Sequence, residues 1–170
     1  MSEPTDAELW PTLFAAAQRG DIDAAITNLY DRLDGEVRRH GAQCFLSGRC
    51  CNFDQYGHRM YVTALETAWV LTHNMLPGAL PGAGAIDLQG PCAYQIDGMC
   101  SIHATRPLGC RIFFCQEGTD DWQHELYERF LGALRDLHTA HSLPYRYIEW
   151  RAAMADAAAY QSNKSSSSTG

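Results

Sequence analysis

Apolar positions recur every three or four residues between Asp21 and about His40. Ile22, Ala25, Ile26, Leu29, Tyr30, Leu33 and Val37 share one face of the predicted helix. Asp31, Arg32, Glu36, Arg38 and Arg39 fall mostly between them. The spacing therefore predicts an amphipathic helix with a solvated charged face, and Gly41 is its stop. A shorter helix is predicted over 6–19, capped by Asp6, with Leu9, Leu13 and Phe14 inward. From Met60 to Leu76 a third is predicted, opened by a capping box in which Thr63 and Glu66 satisfy one another's orphan backbone donors. Its buried side is drawn from Leu65, Trp69, Leu71, Thr72, Met75 and Leu76, and Pro77 ends it. A fourth helix is predicted from about Thr119 to His141, capped by Thr119 or Asp120. Asp120 and Asp121 sit at its positive end, and Trp122, Leu126, Phe130, Leu134, Leu137 and His141 form the stripe. After Pro144 an alanine-rich segment, Tyr145–Tyr160, predicts a last helix containing Ile148 and Trp150.

Between these helices the pattern breaks. Residues 77–91, PGALPGAGAIDLQGP, are dense in chain breakers and read as a loop. The end, QSNKSSSSTG, is polar and is expected to be disordered. No internal repeat is present at solenoid periods. The expected organisation is a mainly α, small single domain of helices flanking a loop-rich cysteine metal-binding centre. Its parts are an N-terminal helical segment at 1–43, a cysteine core at 44–118, C-terminal helices packing on the core at 119–160, and a tail at 161–170.

With 170 residues, 46% hydrophobic and 19% charged, the chain falls in the globular class and can bury a substantial core. The formal charge of −7 argues against sequence-independent nucleic-acid binding, and no polybasic run is present to hold an anionic membrane. MSEPTDAELW has neither the basic nor the apolar region of a secretory signal, and no stretch is apolar enough to span a bilayer. The expected compartment is the cytoplasm, with no nucleic acid and no membrane as partner; a protein partner is left unknown.

Seven cysteines change this picture: Cys44, Cys50, Cys51, Cys92, Cys100, Cys110 and Cys115. An odd number excludes complete internal disulfide pairing. In a reducing compartment, clustered thiols bind metal or do redox chemistry more often than they form structural disulfides. All seven are taken as candidate metal ligands, because thiolates select zinc, copper(I) or iron–sulfur centres. A glycine-rich loop can aim amide N–H groups at such sulfurs. The adjacent Cys50 and Cys51 leave alternatives open: they serve two centres, or one binds metal while the other packs as a core thiol. Arg106 and Arg111 bracket Cys110, and Arg49 precedes Cys50. They are candidates to offset the charge of a buried thiolate centre, against the alternative of ordinary surface or carboxylate-paired arginines.

These residues carry a resemblance. PCAYQIDGMCSIHATRPLGCRIFFC, with Cys100-Ser101-Ile102, Arg106-Pro107 and Cys110-Arg111 in order, resembles the downstream half of the CxxCxxCC, or YkgJ-like, cysteine-cluster family of zinc- or iron-chelating domains. Cys44, Cys50 and Cys51 match its upstream signature, but Ser47 stands at the second cysteine position. The likeness covers about residues 44–115. It implies zinc or iron, including an iron–sulfur cluster, as cofactor. With one thiol replaced, either His58 or His103 substitutes, a water completes the shell, or a metal is lost.

Of the other histidines, His40, His73, His124, His138 and His141, the last three lie on a helix beyond the cluster. His138 and His141 are spaced to share an ion but have no evident third ligand. Gly82-Ala83-Gly84 lacks the strand and the full fingerprint of a dinucleotide loop. No Ser-His-Asp pattern is visible. The main expectation is thus a metal-binding protein. Its alternatives are a metal-dependent enzyme, since a member of the resembled family is a flagellin lysine-N-methylase, and a thiol redox sensor or interaction module using Cys50-Cys51.

Overall fold

A computed structural model describes residues 5–42, 44, 47–79, 86–114 and 120–167. The chain is mainly helical. In order come α1 (Asp6–Ala17), α2 (Gly20–Arg39), α3 (Phe53–Tyr56), β1 (Tyr61–Thr63), α4 (Ala64–His73), β2 (Gln95–Ile96), β3 (Met99–Cys100), α5 (Leu108–Ile112), α6 (Asp120–Ala140), β4 (Tyr147–Glu149) and α7 (Trp150–Ser167).

α4 is the central element. Every residue from Ala64 to Leu71 is buried, which is the pattern of a helix enclosed on all sides rather than one with a single apolar stripe. α1 packs along it, and α7 packs beside it. The expected capping box is present: the Thr63 hydroxyl accepts from the Glu66 amide, while Glu66 accepts from the Thr63 amide at 2.8 Å. Glu66 also accepts from the Tyr30 hydroxyl of α2 at 2.7 Å and from the Leu108 amide at the start of α5 at 2.8 Å. Its carboxylate joins three helices. Burial costs it little because donors from all three surround it.

α2 follows the sequence pattern closely: Ile22, Ile26, Leu29, Tyr30, Leu33 and Val37 are buried, and Gly41 follows the helix at φ +71°. In α1 the inward Leu9, Leu13 and Phe14 are as expected, but the cap is Thr5, in a capping box with Glu8, rather than Asp6.

Four boundaries differ from the expectation. The segment predicted as helix from Met60 begins as strand, with Tyr61, Val62 and Thr63 paired antiparallel to Glu149, Ile148 and Tyr147. α4 ends at His73, so Met75 is exposed rather than inward. The last helix starts at Trp150, because the alternating residues before it form β4. The Met60 carbonyl accepts from the Trp150 amide at 2.8 Å, and the Arg146 carbonyl accepts from the Ala64 amide at 2.9 Å. The short ribbon therefore brings the starts of α4 and α7 side by side. The fourth boundary concerns the tail. α7 continues through 161–167, which corrects the expectation of disorder from 161 for those residues. A helix already anchored by buried Trp150, Ala153, Met154 and Ala157 propagates into polar sequence, as the Ser162 hydroxyl bonded to the Ala158 carbonyl illustrates. No helix among the described residues is long and apolar enough to cross a membrane.

Candidate metal centre

Six of the seven cysteines line one cavity: Cys44, Cys50, Cys51, Cys92, Cys100 and Cys110. Cys115 lies outside the described residues. The six come from separate local structures. Cys50 and Cys51 lie on a 3-10 turn, Arg49–Cys51, which Gly48 enters at φ +68°. Cys100 ends a hairpin of β2 and β3, turned by Asp97 at φ 50° and Gly98 at φ 77°. Two positive φ values in a two-residue connection are what a tight hairpin requires, and Asp-Gly supplies them cheaply. Cys92 precedes that hairpin, and Cys110 sits in α5, which starts after Pro107.

Backbone contacts join the two cysteine groups. The Cys51 carbonyl accepts from the Cys92 amide at 2.7 Å, and the Gly48 carbonyl accepts from the Gln95 side-chain amide at 3.0 Å. Gly48 approaches the hairpin turn so closely that a Cβ there would stand 2.1 Å from the Gly98 carbonyl oxygen. Arg151 of α7, 1% exposed, braces the same region through the Gly90 carbonyl at 2.8 Å and Asp54 at 3.0 Å, with its guanidinium over the Phe53 ring.

Inside the cavity the thiol of Cys51 interacts with those of Cys100, Cys50 and Cys92. The Cys50 and Cys51 sulfurs are 3.9 Å apart. That is far beyond a disulfide bond and close to the edge, about 3.8 Å, of a sulfur tetrahedron built on zinc–sulfur bonds of about 2.3 Å. Both adjacent side chains thus reach one cavity. Contact with the Cys51 thiol is the main cause that holds Cys50 down to about 6 and Cys100 down to about 7, and it also lowers Cys92. The same interactions raise Cys51 itself. Amide donors add to the effect, from Tyr94 to the Cys92 sulfur and from Ile102 to the Cys100 sulfur. The indole N–H of Trp150 donates to the Cys92 sulfur at 3.3 Å. Burial, together with the charges of Cys92, Cys50 and Cys100, pushes Cys110 well up.

The two arginines expected beside the cluster part company. Arg106 lines the cavity and its charge favours the thiolates of Cys50, Cys100 and Cys110. Its Nε is buried without a hydrogen-bond partner among the described residues. Arg111 is not among the lining residues. Its guanidinium donates to Asp34 at 2.8 Å, to the Ala104 carbonyl at 2.6 Å and to the Arg106 carbonyl at 2.7 Å, and stacks 4.2 Å over Tyr30. Arg111 is a positioning residue: it fixes the turn that carries Arg106 to α2. Arg49 is exposed and lies over the Tyr56 ring.

Of the two histidines considered as substitutes for the missing thiol, His103 lines the cavity along with Ser47, while His58 does not. His58 stacks on Phe113, and its Nε2 meets the Cys50 carbonyl at 3.3 Å. Desolvation, followed by the charges of Arg106 and Arg111, lowers the His103 pKa. His138, in α6, and His141, just after it, are not among the lining residues; the buried ring of His138 bonds Pro144 and that of His141 lies 3.7 Å from Asp21. Sequence reasoning missed the aromatic wall of Phe113, Phe114 and Trp150. It also missed the hairpin, although Asp97-Gly98 between short apolar segments carries that signal.

Among the described residues, no group of three or more histidine, cysteine or carboxylate side chains is arranged to hold a metal ion as it stands. The donor set, with six thiols, an imidazole and amide donors at three sulfurs, is chemically suited to a soft metal. The open volume of the cavity is about 50 Å³, room for an ion with a water or two. No family model, curated protein or solved structure matches the chain.

Proposed function

We propose that the chain is a metal-binding protein that holds zinc or iron through its cysteine cavity, in keeping with the likeness of residues 44–115 to the CxxCxxCC family. The observation that carries this reading is the convergence of Cys44, Cys50, Cys51, Cys92, Cys100 and Cys110 on one small cavity beside the Arg106 guanidinium. Cys51 and the three thiols it touches, Cys50, Cys92 and Cys100, would form the first ligand set. Cys44, Cys110 and His103 stand around them as further donors. Arg106 would offset part of the negative charge that four thiolates bring to one ion. The metal, when bound, would tie the cysteine turn to the hairpin, so that binding free energy becomes folding free energy for this loop-rich region.

A redox reading draws on one observation, the 3.9 Å separation of the Cys50 and Cys51 sulfurs. It predicts reversible thiol oxidation that persists in metal-free protein.

The test is anaerobic purification with metal and acid-labile sulfide analysis and a visible spectrum. At least one zinc or iron per chain is expected, and Cys51→Ser and Cys92→Ser should each lose it while retaining the helical circular dichroism signal. A colourless zinc protein identifies a thiolate ion site; acid-labile sulfide with broad absorption near roughly 400 nm identifies an iron–sulfur centre. Protein that is metal-free as isolated, and takes up neither ion on anaerobic titration, would overturn the proposal.

A further inference from the structure

Beside the cysteine cavity, on the other side of Phe113, lies a second and more open cleft of about 320 Å³. Its volume is in the range of small-molecule sites. It opens between the β1–β4 ribbon, α5 and the first turns of α6. Its walls are largely aromatic. Tyr61 and Tyr147 stack across the ribbon with centroids 5.5 Å apart, the Tyr127 hydroxyl is hydrogen-bonded to that of Tyr147, and His58 lies against Phe113. Gly109 forms part of the floor, where it lies so close to Met60 that a Cβ would stand 2.2 Å from the thioether sulfur.

Arg59 brings a fixed positive charge to the cleft. Arg59 and His124 line the cleft, and among the described residues no aspartate or glutamate does. Arg59 is exposed and has no carboxylate, carbonyl or ring partner among the described residues, whereas most arginines of this chain are engaged. The carboxylates that act on Tyr127, Glu66 and Glu128, do not line the cleft. Glu66 is moreover saturated by its own donors. Tyr127 and Tyr147 stay neutral hydroxyls, held up chiefly by burial, so they add donors and not charge. An aromatic box can also recruit a cation, but that use needs a lining free of positive charge. Here a guanidinium sits at the wall of a box that belongs to a chain of net charge −7. The local sign opposes the global one.

We infer that this cleft binds a flat aromatic carboxylate, its ring against the tyrosines and Phe113 and its carboxylate on Arg59. Two chemistries are combined. Planar stacking area comes from the aromatic walls, and the guanidinium fork matches a carboxylate through paired N–H···O bonds. The inference stands independently of any metal in the neighbouring cavity.

The test uses the full chain and three probes of one shape: 2-naphthoate, the neutral 2-naphthamide and the cationic 2-naphthylmethylammonium. Binding is followed by amide chemical shifts. Saturable shifts with 2-naphthoate are expected at residues 59–61, 109–113, 123–127 and 147, with weaker binding of the amide and none of the ammonium. Arg59→Ala, an exposed change that leaves the spectrum otherwise intact, should weaken 2-naphthoate roughly tenfold, as expected for losing a charge-assisted pair. Arg59→Lys should recover part of that loss. The inference is overturned if the ammonium binds as well as the carboxylate, or if Arg59→Ala leaves affinity unchanged. Shifts centred on residues 47–51 and 92–106, or no saturable shift at all, would equally sink it.

Discussion

His138 shows what a single residue of this fold costs and provides. It is 2% exposed, its Nδ1 meets the Pro144 carbonyl at 2.9 Å, and its Nε2 is buried without a partner among the described residues. Desolvation lowers its pKa below the ordinary histidine value near 6.5, outweighing the carbonyl bond. In the unfolded chain the ring takes up a proton near pH 6.5, while in the folded chain it resists. The contribution of His138 to stability is therefore fully present above about pH 6.5 and is lost as the pH falls from there through the folded value. Urea unfolding midpoints measured from pH 7.5 down to 5.5 should decline, and His138→Asn, which keeps a side-chain donor for Pro144 without a titrating ring, should decline less steeply. Identical slopes for the two proteins would contradict this account. Arg111 carries the opposite lesson: its sequence position beside Cys110 suggests charge compensation, yet its side chain reaches back to Asp34. A neighbour in sequence says nothing about where a long side chain ends.

Among the elements, the meeting of the cysteine turn and the hairpin depends on two glycines. Gly48→Ala forces a left-handed conformation on an L-residue and drives a Cβ into the Gly98 carbonyl. It should destabilise the protein by at least about 2 kcal/mol, a value in the range of strain and overpacking defects. Gly57→Ala also has positive φ but open space around it, and should cost less. Chemical denaturation of the two variants compares steric clash plus strain with strain alone. These elements also show what could be read from the chain. α2 announces itself through seven apolar positions on one face, and α4 through Thr63 and Glu66, because both signals are local. β1 and β4 do not, since three-residue strands exist only by pairing with one another across about half of the chain. Their short Tyr-Val-Thr and Tyr-Ile-Glu segments were absorbed into helix-like stretches on either side. The cysteine site was legible as a set of residues, through density and order. Its cavity was not, because Gly48, Phe113 and Trp150 join it through tertiary approach alone.

At the scale of the whole molecule, Glu66 is the junction. Tyr30 in α2, Thr63 ahead of α4 and Leu108 in α5 all donate to one buried carboxylate. Glu66→Ala leaves those donors buried and unpaired, with an expected loss of about 3–5 kcal/mol. Glu66→Gln keeps a single acceptor oxygen and should lose about 1–3 kcal/mol. Urea or thermal unfolding measures both; equal and negligible losses would show that the three helices are held by apolar packing alone. Because Leu108 opens the helix that carries Cys110, loosening this junction also loosens one wall of the cysteine cavity. The helical body and the cavity are in this sense one cooperative unit.

The Trp150 N–H donated to the Cys92 sulfur has an optical consequence. An excited indole is readily quenched by a thiolate in contact with it, and Trp150 is the tryptophan that lines the cavity. Its emission thus records the electronic state of Cys92, whether thiolate, oxidised sulfur or metal-bound ligand. The molecule carries its own fluorophore at the wall of the cysteine cavity, so changes there can be followed in time without adding a label.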